Sequence, residues 1–110
     1  MAERAAWDFQ KELPEAERFD VVTICPGFIL GPAFVGRGFS SGEIVQSICS
    51  GHFNSMGLPR MHMCVVDVRE VAQAHMNAIK IEEARNHRFI VNNQSMYIRE
   101  LADMIAFEFN

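Results

Sequence analysis

The run Phe19-Asp20-Val21-Val22-Thr23-Ile24-Cys25-Pro26-Gly27 decides how this chain folds. Its first seven residues are rich in β-branched side chains and almost continuously apolar. A strand with one wet face alternates polar and apolar residues. A run without that alternation suits a strand covered on both faces, as in a parallel α/β sheet. Pro26 has a fixed φ and no amide donor, and Gly27 tolerates a close backbone approach, so the pair ends the strand.

On the N-terminal side, Ala5, Ala6, Phe9 and Leu13 recur at helical spacing, which predicts a helix over 2–13 stopped by Pro14. Residues 15–18 read as a short polar loop. On the other side, Gly31, Pro32, Gly36 and Gly38 mark residues 28–39 as a loop. Ser40 and Glu43 have the spacing of a capping box, and Ile44, Val45, Ile48 and Cys49 give the following helix one apolar face. Gly51 is its expected C-terminal cap. Residues 52–60 read as irregular.

Met63-Cys64-Val65-Val66 predicts a short strand. Asp67 then caps a helix, with Glu70 as its reciprocal partner and Val68, Val71, Ala72, His75 and Ile79 as the inward face. Residues 88–92 predict a third strand with a polar exit at Asn92-Asn93-Gln94. Ser95 is expected to open a last helix carrying Ile98, Leu101, Ala102, Ile105 and Phe109 on one face. The order is helix, strand, helix, strand, helix, strand, helix. Such alternation implies an α/β fold with a mostly parallel sheet and flanking helices. A lone central-type strand with so few partners has the pattern of a piece cut from a larger domain.

Composition narrows the function. Of 110 residues, 49% are apolar and 22% charged, the balance of an ordinary globular protein. The net charge is −4 and the basic residues are scattered, which argues against nucleic-acid or anionic-membrane partners. No apolar run approaches the roughly 18 residues of a membrane span. Cys25, Cys49 and Cys64 are widely spaced with no Cys-x-x-Cys pair, and the amphipathic start lacks a secretory pattern. Reduced thiols in a cytoplasmic protein are the expectation.

Three segments, in order, resemble one family. Phe-Asp-Val-Val-Thr-Ile-Cys-Pro-Gly-Phe-Ile-Leu-Gly-Pro (19–32) is similar to the sixth core strand and following loop of dihydroflavonol reductase-like and cinnamoyl-CoA reductase-like enzymes. Val66-Asp67-Val68-Arg69-Glu70-Val71-Ala72-Gln73-Ala74-His75 resembles their recurrent VDVRDVAxAH segment, with Glu70 where Asp is usual. Arg88–Asn92 with the helix after it is a softer third match, and the opening 2–7 resembles the helix that follows the catalytic Tyr-x-x-x-Lys. These enzymes are extended short-chain dehydrogenase/reductases of the NAD-dependent epimerase/dehydratase superfamily.

The resemblance implies a middle-to-C-terminal fragment of a Rossmann-type, doubly wound fold. Residues 1–35 would close the NAD(P)-binding domain and 36–110 would run into the substrate-binding region. It places Pro26, Gly27, Phe28 and Ile29 beside the nicotinamide ring of NADP or NAD. Ligands of open α/β sheets lie beyond the carboxyl ends of the strands, which makes that placement physically sensible. It also puts Phe34, Phe39 and Met61 in the wall of a pocket for a small apolar substrate.

Departures from the family matter as much. No glycine-rich turn follows a first strand, and Gly36-Arg37-Gly38-Phe39-Ser40-Ser41-Gly42 has the wrong spacing for one. The single tyrosine, Tyr97, is followed four residues later by Leu101, not Lys. No catalytic residue is therefore assigned, and the isolated chain is expected to be inactive with weak or no cofactor binding. His75 reads as a core histidine and Phe53 as packing. Met61 and Met63 would point away from His62 in a strand, so no metal site is assigned. Two alternatives stay open. One is a stand-alone binding module that pairs through its sheet edges. The other is a fragment of an epimerase, dehydratase or hydroxysteroid dehydrogenase.

Overall fold

The computed structural model describes residues 2–34 and 40–109. Its elements are helix α1 (Ala2–Glu12), strands β1 (Thr23–Pro26) and β2 (Phe28–Leu30), and helix α2 (Ser40–Cys49). Strand β3 (His62–Asp67), helix α3 (Val68–Lys80), strands β4 (Arg88–Val91) and β5 (Gln94–Tyr97), and helix α4 (Ile98–Phe109) follow. The α/β expectation holds. β1 pairs in parallel with β4, and β2 pairs in parallel with β3, which in turn pairs antiparallel with β5.

The deciding run is shorter than expected at its start and longer at its end. Regular pairing begins at Thr23, whose amide donates to the His87 carbonyl at 3.0 Å. Pro26 is the last strand residue and pairs with Val91 rather than stopping the strand before it. At Gly27 the chain leaves the first sheet, and the apolar run Phe28-Ile29-Leu30, expected as loop, becomes the edge strand of the second. Phe28 and Leu30 pack onto the core, which supplies the burial that draws the run into a sheet.

That core lies beneath the second sheet. Met63, Val65, Met96, Ile98 and Leu101 are buried together, and Ile44, Ile48, Leu58 and Ile105 pack around them. The face of α4 therefore matches its periodicity at Ile98, Leu101, Ala102 and Ile105, while Phe109 stays exposed. The helix starts three residues later than expected. Ser95 lies in β5, where Met96 points to the core and Tyr97 to solvent. Four residues of alternation are too few to outweigh the helical pattern that follows. Glu100 reaches back to accept from the Tyr97 amide at 2.6 Å and fixes the true start.

Helix α3 begins where the sequence says. The Asp67 carboxylate accepts from the Arg69 amide at 2.7 Å, and the Asp67 amide donates to Glu70 Oε2 at 3.4 Å, completing a capping box. Its inward stripe is Val68, Val71, Ala74 and Ala78. His75 and Ile79 are exposed, which corrects the reading of His75 as a core residue. The His75 ring nitrogen Nδ1 instead sits 2.8 Å from the Val71 carbonyl one turn back. In α2, Ile44, Val45 and Ile48 turn inward but Cys49 is exposed. Gly51 has φ +72°, as its capping role requires. Ser40 is the first helical residue, and the position before it lies outside the described residues.

Helix α1 buries no residue, so surface contacts rather than core packing hold it. Glu3 pairs with Arg88 at 2.9 Å, and the Arg18 guanidinium donates to the Lys11 and Leu13 carbonyls at the helix C-terminus. A second clasp joins the entrances of β1 and β4 across 65 residues. Asn86, at φ +58°, accepts from the Val21 amide at 3.1 Å and donates to Asp20 Oδ1 at 2.8 Å. Asn tolerates that left-handed conformation better than most residues, and its amide serves both partners. Asn86→Ala is expected to lose both bonds and add backbone strain, costing about 1–3 kcal/mol in chemical denaturation. Asn86→Gly should recover the strain component alone.

The chain is elongated. Its Cα radius of gyration is 18.3 Å over extents of 59 × 26 × 25 Å. A compact domain of this length has a radius near 13 Å. Large apolar side chains stay uncovered on β4 (Ile90, 76% exposed), α3 (Ile79, 83%) and α4 (Phe107, 87%).

Candidate cofactor-facing strand exit

Pro26 and Gly27 stand at the carboxyl end of the parallel pair β1–β4. The Gly27 amide donates to the Val91 carbonyl at 3.0 Å, so the ladder runs one residue beyond the strand. On the other side, Gly27 rests on the backbone of β3. A β-carbon built at Gly27 would lie 2.4 Å from the Cys64 carbonyl oxygen and 3.2 Å from the Cys64 β-carbon. No φ between +20° and +160° is involved. The position is glycine because two backbones cross there without room for a side chain.

This contact gives Cys64 a place the sequence did not reveal. It lies directly behind the strand exit, and its thiol is 3.3 Å from the Ser95 hydroxyl. The same exposed face of β3 and β5 carries His62 against Tyr97, ring centroids 4.9 Å apart. The alternation of β3 could have found this face, since Met63 and Val65 alternate with His62 and Cys64. The pairing with β5 could not be found, because β5 was not foreseen.

Asn92 and Asn93 follow β4 at the same end of the first sheet. The Asn93 amide donates to the Val65 carbonyl at 3.0 Å, a second bridge between the sheets. Its side chain donates to Glu70 at 3.1 Å, tying this corner to the start of α3. At that helix start the Arg69 guanidinium, hydrogen-bonded to Asp67 at 2.6 and 2.9 Å, holds the Asp67 carboxyl down at about 2. Arg69 is raised in turn, chiefly by the same bond.

A folded pKa below the ordinary 3.8 means that ionised Asp67 favours the folded state. That contribution is present above the unfolded pKa and is lost as pH falls from there toward 2. Wild type and Asp67→Asn should therefore differ in melting temperature at neutral pH and converge in acid. A difference independent of pH would contradict the assignment.

Of the four residues expected at the ring, Pro26 is exposed, and Gly27, Phe28 and Ile29 are half-buried. Phe28 turns its ring into the core, leaving its backbone at the exit. Of the expected substrate wall, Phe34 projects fully from the surface and Met61 is 38% exposed. The Met61 carbonyl accepts from the Ile98 amide at 2.9 Å. Phe39 lies outside the described residues. An open crevice of about 500 Å³ between α3 and β4, lined by Ile24, Ala78, Ile81 and Phe89 among others, includes neither Phe34 nor Met61. Among the described residues, no three His, Cys, Asp or Glu side chains come together as a metal site. The three cysteines are free thiols, and no described helix is long and apolar enough to cross a membrane.

No protein-family model matches the chain. Individual proteins do. The NADPH-dependent methylglyoxal reductase Gre2 of Saccharomyces cerevisiae is 27% identical over 98% of this chain and 33% of its own length. The crystal structure of yeast Gre2 complexed with NADPH superposes with a TM-score of 0.82 at 26% identity, covering 98% of this chain and 33% of that one. Gre2 from Candida albicans, also solved with NADPH, gives a TM-score of 0.78 at 34% identity and the same coverage. The chain thus spans about a third of the length of the curated relatives it matches. By sequence and by fold the chain is similar to these NADPH-dependent reductases over nearly all of its own length, and its α/β arrangement matches about a third of their Rossmann-type fold.

Proposed function

We propose that this chain is the nicotinamide-side third of an NADPH-dependent reductase that reduces a carbonyl, or oxidises a secondary alcohol, of a small apolar substrate. The observation that carries the reading is the position of Pro26 and Gly27. They end a parallel strand pair at its carboxyl edge, where ligands of open α/β sheets sit. Two Gre2 reductases that the chain resembles were solved with NADPH, which favours NADP(H) over NAD(H).

Each chain residue has a defined part in this reading. The Gly27 amide is already used by Val91, so it does not hold the cofactor. β2 is paired only on its β3 side among the described residues. Successive amides along a strand point to opposite sides. One of the Phe28 and Ile29 amides therefore faces away from β3, free to donate to the nicotinamide carboxamide. The cofactor supplies the hydride, and these residues orient its ring. Residues 1–35 belong to the cofactor domain and 36–110 to the substrate-binding region, with β4 returning to pair with β1. Phe34, Phe39 and Met61 form part of the substrate wall once that region is complete. A cytoplasmic location goes with the free thiols.

With no dinucleotide turn and no Tyr-x-x-x-Lys pair, the 110-residue chain should show no melting-temperature shift with NADPH. The full-length protein that contains it should bind NADPH and consume it with a small ketone or aldehyde. A full-length sequence lacking both motifs, or one that binds no NADPH, would overturn the proposal. A second reading, a stand-alone module, is favoured by the outer edges of β1 and β4, which have no strand partner among the described residues. It predicts a sharp cooperative melt of the chain by itself, where the reductase reading predicts a weak one.

A further inference from the structure

We draw no further inference here: the strongest candidate, the open apolar crevice of about 500 Å³ between α3 and the β4 edge, carries nothing because nothing in the structure shows what covers it.

Discussion

Gly27→Ala is expected to destabilise the junction of the two sheets by about 1–3 kcal/mol, the usual cost of forcing extra atoms into a packed site. The added methyl would meet the Cys64 carbonyl oxygen at 2.4 Å, well inside contact distance. A flexible side chain could swing away from such a clash. This carbonyl belongs to β3, held between β2 and β5, so the backbone of at least one strand has to move. The Gly27–Val91 and Asn93–Val65 hydrogen bonds flank the site and would be strained by that shift. Chemical denaturation of the two proteins measures the loss as a lower midpoint at unchanged slope. Gly57→Ala is the comparison for backbone strain without a clash. Unlike Gly27 it has a positive φ (+75°), so a methyl there meets backbone strain, but nothing lies within 4 Å of it. Equal midpoints for wild type and Gly27→Ala would remove the steric account of this position.

Ile98→Ala should cost more, about 2–5 kcal/mol, the range for removing a large aliphatic side chain from a core. Ile98 is 1% exposed and stands where β5 turns into α4, among Met63, Val65, Met96 and Leu101. Its amide also donates to the Met61 carbonyl, so the backbone around the new cavity is pinned and has little freedom to collapse into it. The same substitution at Ile79, 83% exposed on α3, should change stability by no more than about 0.5 kcal/mol. Paired denaturation curves check both. A similar loss at the two positions would mean that α3 is covered and that the core is misplaced.

Much of the fold was legible because local rules and packing agreed. The Asp67–Glu70 capping box, the start of α3, the face of α4 and the β-branched strand all followed from spacing and side-chain shape. β5 was not legible. Its four residues alternate only once at a buried position, and a strong helix begins immediately after it. The crossing at Gly27 was half legible. Pro-Gly announced a change of direction, yet no local signal says that β4 accepts one more hydrogen bond and β3 passes beneath. His75 was misjudged for a physical reason: the inward stripe of α3 follows 71, 74 and 78, and the next apolar line, 72, 75, 76 and 79, faces outward. Apolar residues on two sides of one helix suit an element packed on both. The candidate site itself rested on the likeness of three motifs, since the strand exit carries no charged or nucleophilic side chain.

The central claim is that the Pro26–Ile29 backbone lies against the nicotinamide ring. The most direct measurement is the crystal structure of the full-length protein with NADPH bound. The account predicts ring atoms in van der Waals contact, about 4 Å, with Pro26 or Gly27, and one amide of Phe28 or Ile29 bonded to the carboxamide. A ring held at the other end of β1, or kept from this segment by intervening protein, would contradict it.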